Sequence, residues 1–117
     1  MTRVLMLELN ELTPRLVHDF ISDGCLPNFK KLYEQSHVYE TDAGESGLNL
    51  NPWVQWFTVH SGVPFEDHKV YLLGEGYSKD IPTLGNIVSD AGSTVALFGS
   101  MNVGFKNPLN GLAMPDA

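Results

Sequence analysis

Cysteine is almost absent: Cys25 is the single thiol among 117 residues, which excludes an internal disulfide. Cysteine usage leaves the redox compartment open and favours the cytoplasm. Cys25 follows the helix stop Gly24 without a basic neighbour, so a reactive thiolate is not expected. Long apolar runs are also missing. No stretch approaches the ~18 uninterrupted apolar residues of a membrane span. The opening residues do not read as a signal peptide, because Glu8 cuts the apolar run short and no small-residue cleavage site follows. Basic side chains are scarce, with 7 Lys and Arg against 14 Asp and Glu and a formal net charge of −7. That field repels a phosphate backbone, so nucleic acid is not an expected partner. A small anionic substrate remains compatible with it, since helix N-termini or a metal supply local positive charge. What is present is ordinary: 43% hydrophobic and 18% charged residues, a globular composition of about one domain's length.

Along the chain, Arg3 to Leu9 is nearly continuously apolar, as expected of a strand buried on both faces of a parallel sheet. Asn10-Glu11-Leu12 reads as a loop, and Thr13-Pro14 as a helix start with Thr13 at the N-cap. Leu16, Val17, Phe20 and Ile21 fall at helical spacing, and Gly24 is a natural stop. A second helix is expected from Pro27, with Phe29, Leu32 and Tyr33 inward, then a short strand over Ser36 to Thr41. A Gly-, Asn- and acid-rich loop from Asp42 to Asn51 leads to a helix over Trp53–Ser61, opened by Asn51-Pro52 and closed by Gly62. Trp53, Trp56, Phe57 and His60 share one face of it, with His60 beside Trp56 and Phe57. A short strand over Lys69–Leu73, a helix from about Pro82 to Ala91 and a buried-type strand over Ser93 to Gly99 follow, and Met101 to Ala117 shows no period. The order of strands and helices is that of a wound α/β fold with a parallel sheet. Only two of the strands are strong, so residues 1–117 read as one incomplete α/β domain, the front part of a larger protein. Such a chain is expected to self-associate or to be marginally stable in isolation.

Ligands of wound sheets bind beyond the carboxyl ends of strands. That places Asn10-Glu11, the segment Gly44 to Trp53 and Ser100-Met101-Asn102 in view. Glu11 suits a hard-metal ligand, or else an acid stabilising the following helix dipole. Asn51 either orients a substrate oxygen or serves only as an N-cap. No pair of the four histidines has tight metal spacing; His68, in Glu66-Asp67-His68, reads as a solvated turn or a ligand. Gly74-Glu75-Gly76 is a weak phosphate-loop signal.

Taken in order, these segments resemble the alkaline-phosphatase superfamily, which includes nucleotide pyrophosphatase/phosphodiesterase-like enzymes and sulfatases. Val4-Leu-Met-Leu-Glu-Leu-Asn-Glu-Leu-Thr-Pro-Arg-Leu-Val17 resembles the family's opening strand, acidic metal ligand and helix. Gly24-Cys-Leu-Pro-Asn-Phe-Lys-Lys-Leu32 resembles the segment that follows. Pro52-Trp-Val-Gln-Trp-Phe-Thr-Val-His-Ser-Gly62 is similar to the nucleophile helix, and Val63-Pro-Phe-Glu-Asp-His68 to its continuation. Ile81 through Gly99 resembles the next helix and strand.

The resemblance implies the N-terminal portion of an alkaline-phosphatase-like α/β fold and, in the full form, metal-dependent hydrolysis of small phosphate or sulfate esters. Carried over, the first metal position falls on Asn10 with Glu11 beside it, where the family has Asp. The cofactor implied is a divalent metal, zinc first and otherwise manganese or magnesium, incompletely held by this chain. The family's nucleophile is a Thr or Ser at the start of the helix, whereas Leu50-Asn51-Pro52 carries no hydroxyl, and Ser46 is the nearest upstream candidate. Thr58 lies too far down the helix. The alternative is a non-catalytic member that binds an anion or a partner. A flavodoxin-like nucleotide module is disfavoured, because Asn10-Glu11-Leu12 lacks the Gly and hydroxyl content of a phosphate cradle.

Overall fold

The computed structural model describes residues 3–103, 108–114 and 116, and the chain divides into two compact units, Met1–Asp42 and Ala43–Ala117. In the first unit, helix α1 (Pro14–Ser22) starts as its sequence dictates. Thr13 Oγ1 accepts the Leu16 N–H at 3.4 Å, and Pro14 occupies the first turn, where a missing N–H costs nothing. Gly24 ends it at φ 75°, with the Cys25 N–H reaching back to the Phe20 carbonyl at 2.9 Å. Only a residue without a Cβ adopts that left-handed turn at no cost. Helix α2 (Pro27–Gln35) packs against α1. Val17 is the buried apolar side chain of this unit among the described residues.

The apolar run Arg3 to Leu9 forms no strand, and Val4 and Leu5 are 89% and 90% exposed. Ser36 to Thr41 forms none either. An apolar run becomes a strand only when a neighbouring edge takes its N–H and C=O groups, and hydropathy carries no information about that edge.

The second unit holds the core. A 3-10 turn (Gly47–Leu50) runs into α3 (Pro52–Ser61), followed by the single turn α4 (Phe65–His68), a second 3-10 turn (Glu75–Ser78) and α5 (Leu84–Asp90). Strands β1 (Val95–Phe98) and β2 (Gly111–Met114) pair in parallel, Val95 opposite Gly111 and Phe98 opposite Met114. Helix α3 packs on α4 and α5, and α5 on β1, around buried Val54, Phe57, Phe65, Val70, Val95 and Val103. Gly85 lets α5 approach the sheet, since a Cβ there would stand 3.0 Å from the Leu97 side chain.

Two differences from the sequence expectation have local causes. Lys69–Leu73 is not a strand, because the Glu75 side chain replaces a strand partner: its Oε2 accepts the Tyr71 and Leu72 N–H groups at 2.7 and 3.0 Å. These two bonds hold the Glu75 carboxyl below its ordinary pKa. Strand β2 lies where no period is visible. The Ser89 hydroxyl on α5 accepts the Asn110 N–H at 2.8 Å, and the Asn110 carbonyl takes the Val95 N–H at 2.9 Å, setting the register. Gly111 sits against the Val95 carbonyl so closely that any Cβ would collide with it. Phe98 and Leu112 remain 80% and 77% exposed on this sheet. Among the described residues no helix is long and apolar enough to cross a membrane.

Candidate functional site

Asn10 and Glu11 form the middle of a tight turn in the first unit, closed by the Leu12 N–H to the Leu9 carbonyl at 3.4 Å. Glu11 has φ 56°, a left-handed backbone that costs a non-glycine residue of the order of 1 kcal/mol. Both side chains are exposed, so the turn presents an amide and a carboxylate to solvent side by side. Their oxygens suit a hard divalent cation, and zinc also accepts carboxylate. A catalytic ion takes about three ligands from protein. This turn offers two side chains, and no group of three His, Cys, Asp or Glu is gathered among the described residues. The turn is therefore a partial ligand set, and no chemical step follows from it alone.

Ser46 and Asn51 belong to the second unit and bracket the 3-10 turn that precedes α3. The segment is ordered by its own side chains. Asn49 Nδ2 donates to Glu45 Oε2 at 3.0 Å, Gln55 Nε2 donates to the Asn49 carbonyl at 2.7 Å, and the Asn51 N–H donates to the Leu48 carbonyl at 3.2 Å. Ser46, at the start of this turn, is exposed. Asn51 caps α3, its Oδ1 accepting the Trp53 N–H at 2.9 Å. The capping role thus occupies the oxygen, and any contact with a substrate oxygen falls to the Nδ2 donor. The ten-residue α3 puts its positive dipole end here, which favours an anion.

His68 is neither a solvated turn nor placed as a ligand. It is 1% exposed, with its ring edge-on to Phe57 and Phe65 at centroid distances of 5.0 and 5.6 Å. Nδ1 accepts the Val70 N–H at 2.9 Å, so the proton of the neutral ring sits on Nε2, which donates to Thr58 Oγ1 at 3.0 Å. Thr58 in turn donates to the Val54 carbonyl at 3.3 Å. With Nε2 already protonated, His68 cannot take the Thr58 proton, and the pair is structural. His60 stacks on Trp56 at 5.6 Å, as its helical spacing suggests.

Asn102, the end of the Ser100-Met101-Asn102 segment expected beyond a strand, is fully buried just beyond β1 at φ 56° and has a structural role that its sequence does not announce. Its Oδ1 accepts the Gly74 and Gly76 N–H groups at 2.7 and 3.4 Å; its Nδ2 donates to the Trp53 and Leu72 carbonyls at 2.8 and 3.2 Å. Asn102 therefore ties the first turn of α3 to the 72–76 segment. The Gly74 and Gly76 amides are taken by Asn102 and the Glu75 amide by the Leu72 carbonyl at 3.3 Å, so these amides do not cradle phosphate. Gly76 also needs to be glycine, because a Cβ would lie 2.6 Å from the Asn102 carbonyl oxygen and 2.8 Å from the Phe57 ring. The only sequence signal is position, an Asn four residues past the end of β1. The chain matches no family model, no curated protein and no solved structure.

Proposed function

We propose that this chain is the N-terminal part of a metal-dependent hydrolase of phosphate or sulfate esters, with an alkaline-phosphatase-like, parallel-sheet α/β fold. The observation that carries the reading is the α3 N-terminus: a helix capped by Asn51 and Pro52, entered through an ordered turn that starts at Ser46, with an anion-favouring dipole end. Two further features support it. The Asn10–Glu11 turn offers oxygen ligands of the kind a divalent ion needs, directly after an apolar run. The β1–β2 pair is parallel, with apolar Phe98 and Leu112 exposed, and parallel strands rarely stand as an uncovered pair.

In this reading Glu11, with Asn10, supplies the first ligands of the ion, and a longer form of the protein supplies the rest. The ion, when bound, stabilises charge on the transferred group. Ser46 is the candidate nucleophile and Asn51 Nδ2 a donor to the ester's oxygens. A second reading, a non-catalytic member that binds an anion or a partner, is favoured by one observation: Leu50-Asn51-Pro52 carries no hydroxyl at the helix start.

Calorimetric titration with zinc, manganese and magnesium tests the metal role. The 117-residue chain is expected to bind weakly, a longer form at least tenfold more tightly, a gain of about 1.4 kcal/mol or more. Glu11→Gln is expected to weaken both, because an amide oxygen carries no charge to attract the ion. Affinity unchanged by Glu11→Gln, or equally negligible in both forms, would remove the metal role.

A further inference from the structure

Acid sensitivity is built into the packing of α4 on α3. We propose that His68 is an acid-released latch: adding a proton to its ring breaks the Val70 N–H bond and leaves a charge buried against Phe57 of α3, a cost relieved when the ring undocks from that helix.

The geometry leaves a second proton no place to go. Nδ1 is the only ring nitrogen without hydrogen, and the Val70 N–H points at it from 2.9 Å. Protonation sets two hydrogens against each other and replaces an attractive bond by a repulsive contact. The resulting charge would be enclosed by Phe57 and Phe65, beside fully buried Val70, without new hydrogen-bond acceptors at that nitrogen. From α3 the ring meets the neutral Thr58 hydroxyl at 3.0 Å. The charged groups around it are mixed: Lys79 and Lys69 oppose a second positive charge, while Glu45 and Asp67 favour it. Burial is the largest influence, Lys79 the next, and together they hold the His68 pKa below the ordinary value of 6.5.

The segment is suited to local release. Helix α4 is one turn of four residues, anchored by the Asp67 and His68 N–H groups to the Pro64 carbonyl at 3.0 and 3.1 Å. Lys69 follows in a left-handed conformation at φ 52°. The next backbone N–H, that of Val70, is held by the histidine ring itself. Losing that bond leaves α4 tied to the chain beyond it by the Lys69 N–H to the Phe65 carbonyl at 3.0 Å and by the edge-on Phe65–Tyr71 contact at 4.8 Å, neither of which holds the His68 ring.

The direction with pH follows from linkage. Above 6.5 the ring is neutral whether the segment is docked or released, and docking has its full stability. Below 6.5 the released ring takes a proton that the docked ring refuses, so docking weakens as pH falls, until the docked ring itself titrates.

Amide hydrogen exchange of the chain, corrected for intrinsic rates, reads this directly at the Val70 N–H between pH 7.5 and 5. Protection is expected to be constant above pH 6.5 and to fall below it, by at most about tenfold per pH unit, levelling off where the docked ring itself titrates. The Val95 amide, donating to Asn110, is expected to keep its protection over the same range. In His68→Asn, whose side-chain oxygen still accepts from Val70 and does not titrate, the Val70 protection is expected to be flat. Constant Val70 protection in the wild-type chain overturns the latch, whatever the variant does. A fall shared by Val95 overturns it too, as whole-unit unfolding, and so does a fall that persists in a folded His68→Asn.

Discussion

Asn102→Ala is expected to destabilise the second unit by about 3–5 kcal/mol. The substitution leaves two backbone carbonyls, of Trp53 and Leu72, and two N–H groups, of Gly74 and Gly76, without the side chain that joins them. Each buried polar group left unmatched costs about 1–3 kcal/mol; the Leu72 carbonyl keeps the Glu75 N–H at 3.3 Å, and relaxation and water entry reduce the sum over the others. Alanine would also be held at φ 56°, a conformation asparagine tolerates better. Asn102→Gly removes that second cost and retains the first, so the difference between the two variants isolates backbone strain at about 1 kcal/mol. Asn102→Asp keeps the acceptor but turns a donor toward two carbonyls into a buried negative charge, and is expected to be as damaging as alanine. Urea unfolding followed by tryptophan fluorescence reports on this unit alone, since both tryptophans, Trp53 and Trp56, lie on α3. A loss below about 1 kcal/mol in Asn102→Ala would mean that the hydrogen bonds are made to water as readily as to Asn102.

Under the proposed function, and in the longer form that it invokes, Ser46→Ala is expected to lower ester turnover by on the order of 10³-fold or more, and Thr58→Val to leave it near wild type. An oxygen nucleophile is needed where the α3 dipole can lower its pKa and stabilise the transferred anion. Leu50-Asn51-Pro52 offers no hydroxyl, and Asn51 Oδ1 is engaged with the Trp53 N–H. Ser46 heads the turn that runs into this helix, exposed and backed by the Glu45–Asn49 hydrogen bond. Thr58 is excluded on chemical grounds. Its oxygen receives a proton from His68 Nε2 and gives its own to Val54, so no base is aimed at it. Thr58→Val is expected to cost stability alone, about 1–3 kcal/mol, because the buried His68 Nε2–H loses its acceptor. Steady-state turnover of an aryl phosphodiester separates the two variants. Wild-type turnover in Ser46→Ala would remove the covalent route, leaving a metal-activated water or a binding role.

What could be read from sequence divides along the range of the interactions. Helix starts are local: Thr13-Pro14 and Asn51-Pro52 each place an acceptor and a fixed φ within three residues, and both caps form where expected. Strands are not local. Arg3 to Leu9 has the composition of a buried strand but no ladder, while β2, with its glycine and mixed side chains, pairs because Asn110 is fixed by Ser89, 21 residues earlier. His68 reads as solvated because Glu66, Asp67 and Lys69 surround it in sequence. A single helical turn then rotates it alone inward, against Phe57 and Thr58. Asn102 is illegible for the same reason, its partners being 49 and 30 residues earlier. At the candidate site, the turn holding Asn10 and Glu11 and the cap formed by Asn51 were legible, because each is closed by its own neighbours. The ordering of Ser46 by the 3-10 turn was not, since Gly44 and Gly47 read as flexible loop.

The central proposal, metal-dependent ester hydrolysis, is tested most directly by turnover of 4-nitrophenyl phosphate, bis(4-nitrophenyl) phosphate and 4-nitrophenyl sulfate by the longer form that the proposed function invokes. The assay is run after chelation and again after zinc, manganese or magnesium is restored. The account predicts hydrolysis of at least one ester, abolished by the chelator and recovered with metal. Absence of hydrolysis of all three with every metal restored, or hydrolysis indifferent to chelation, would contradict it.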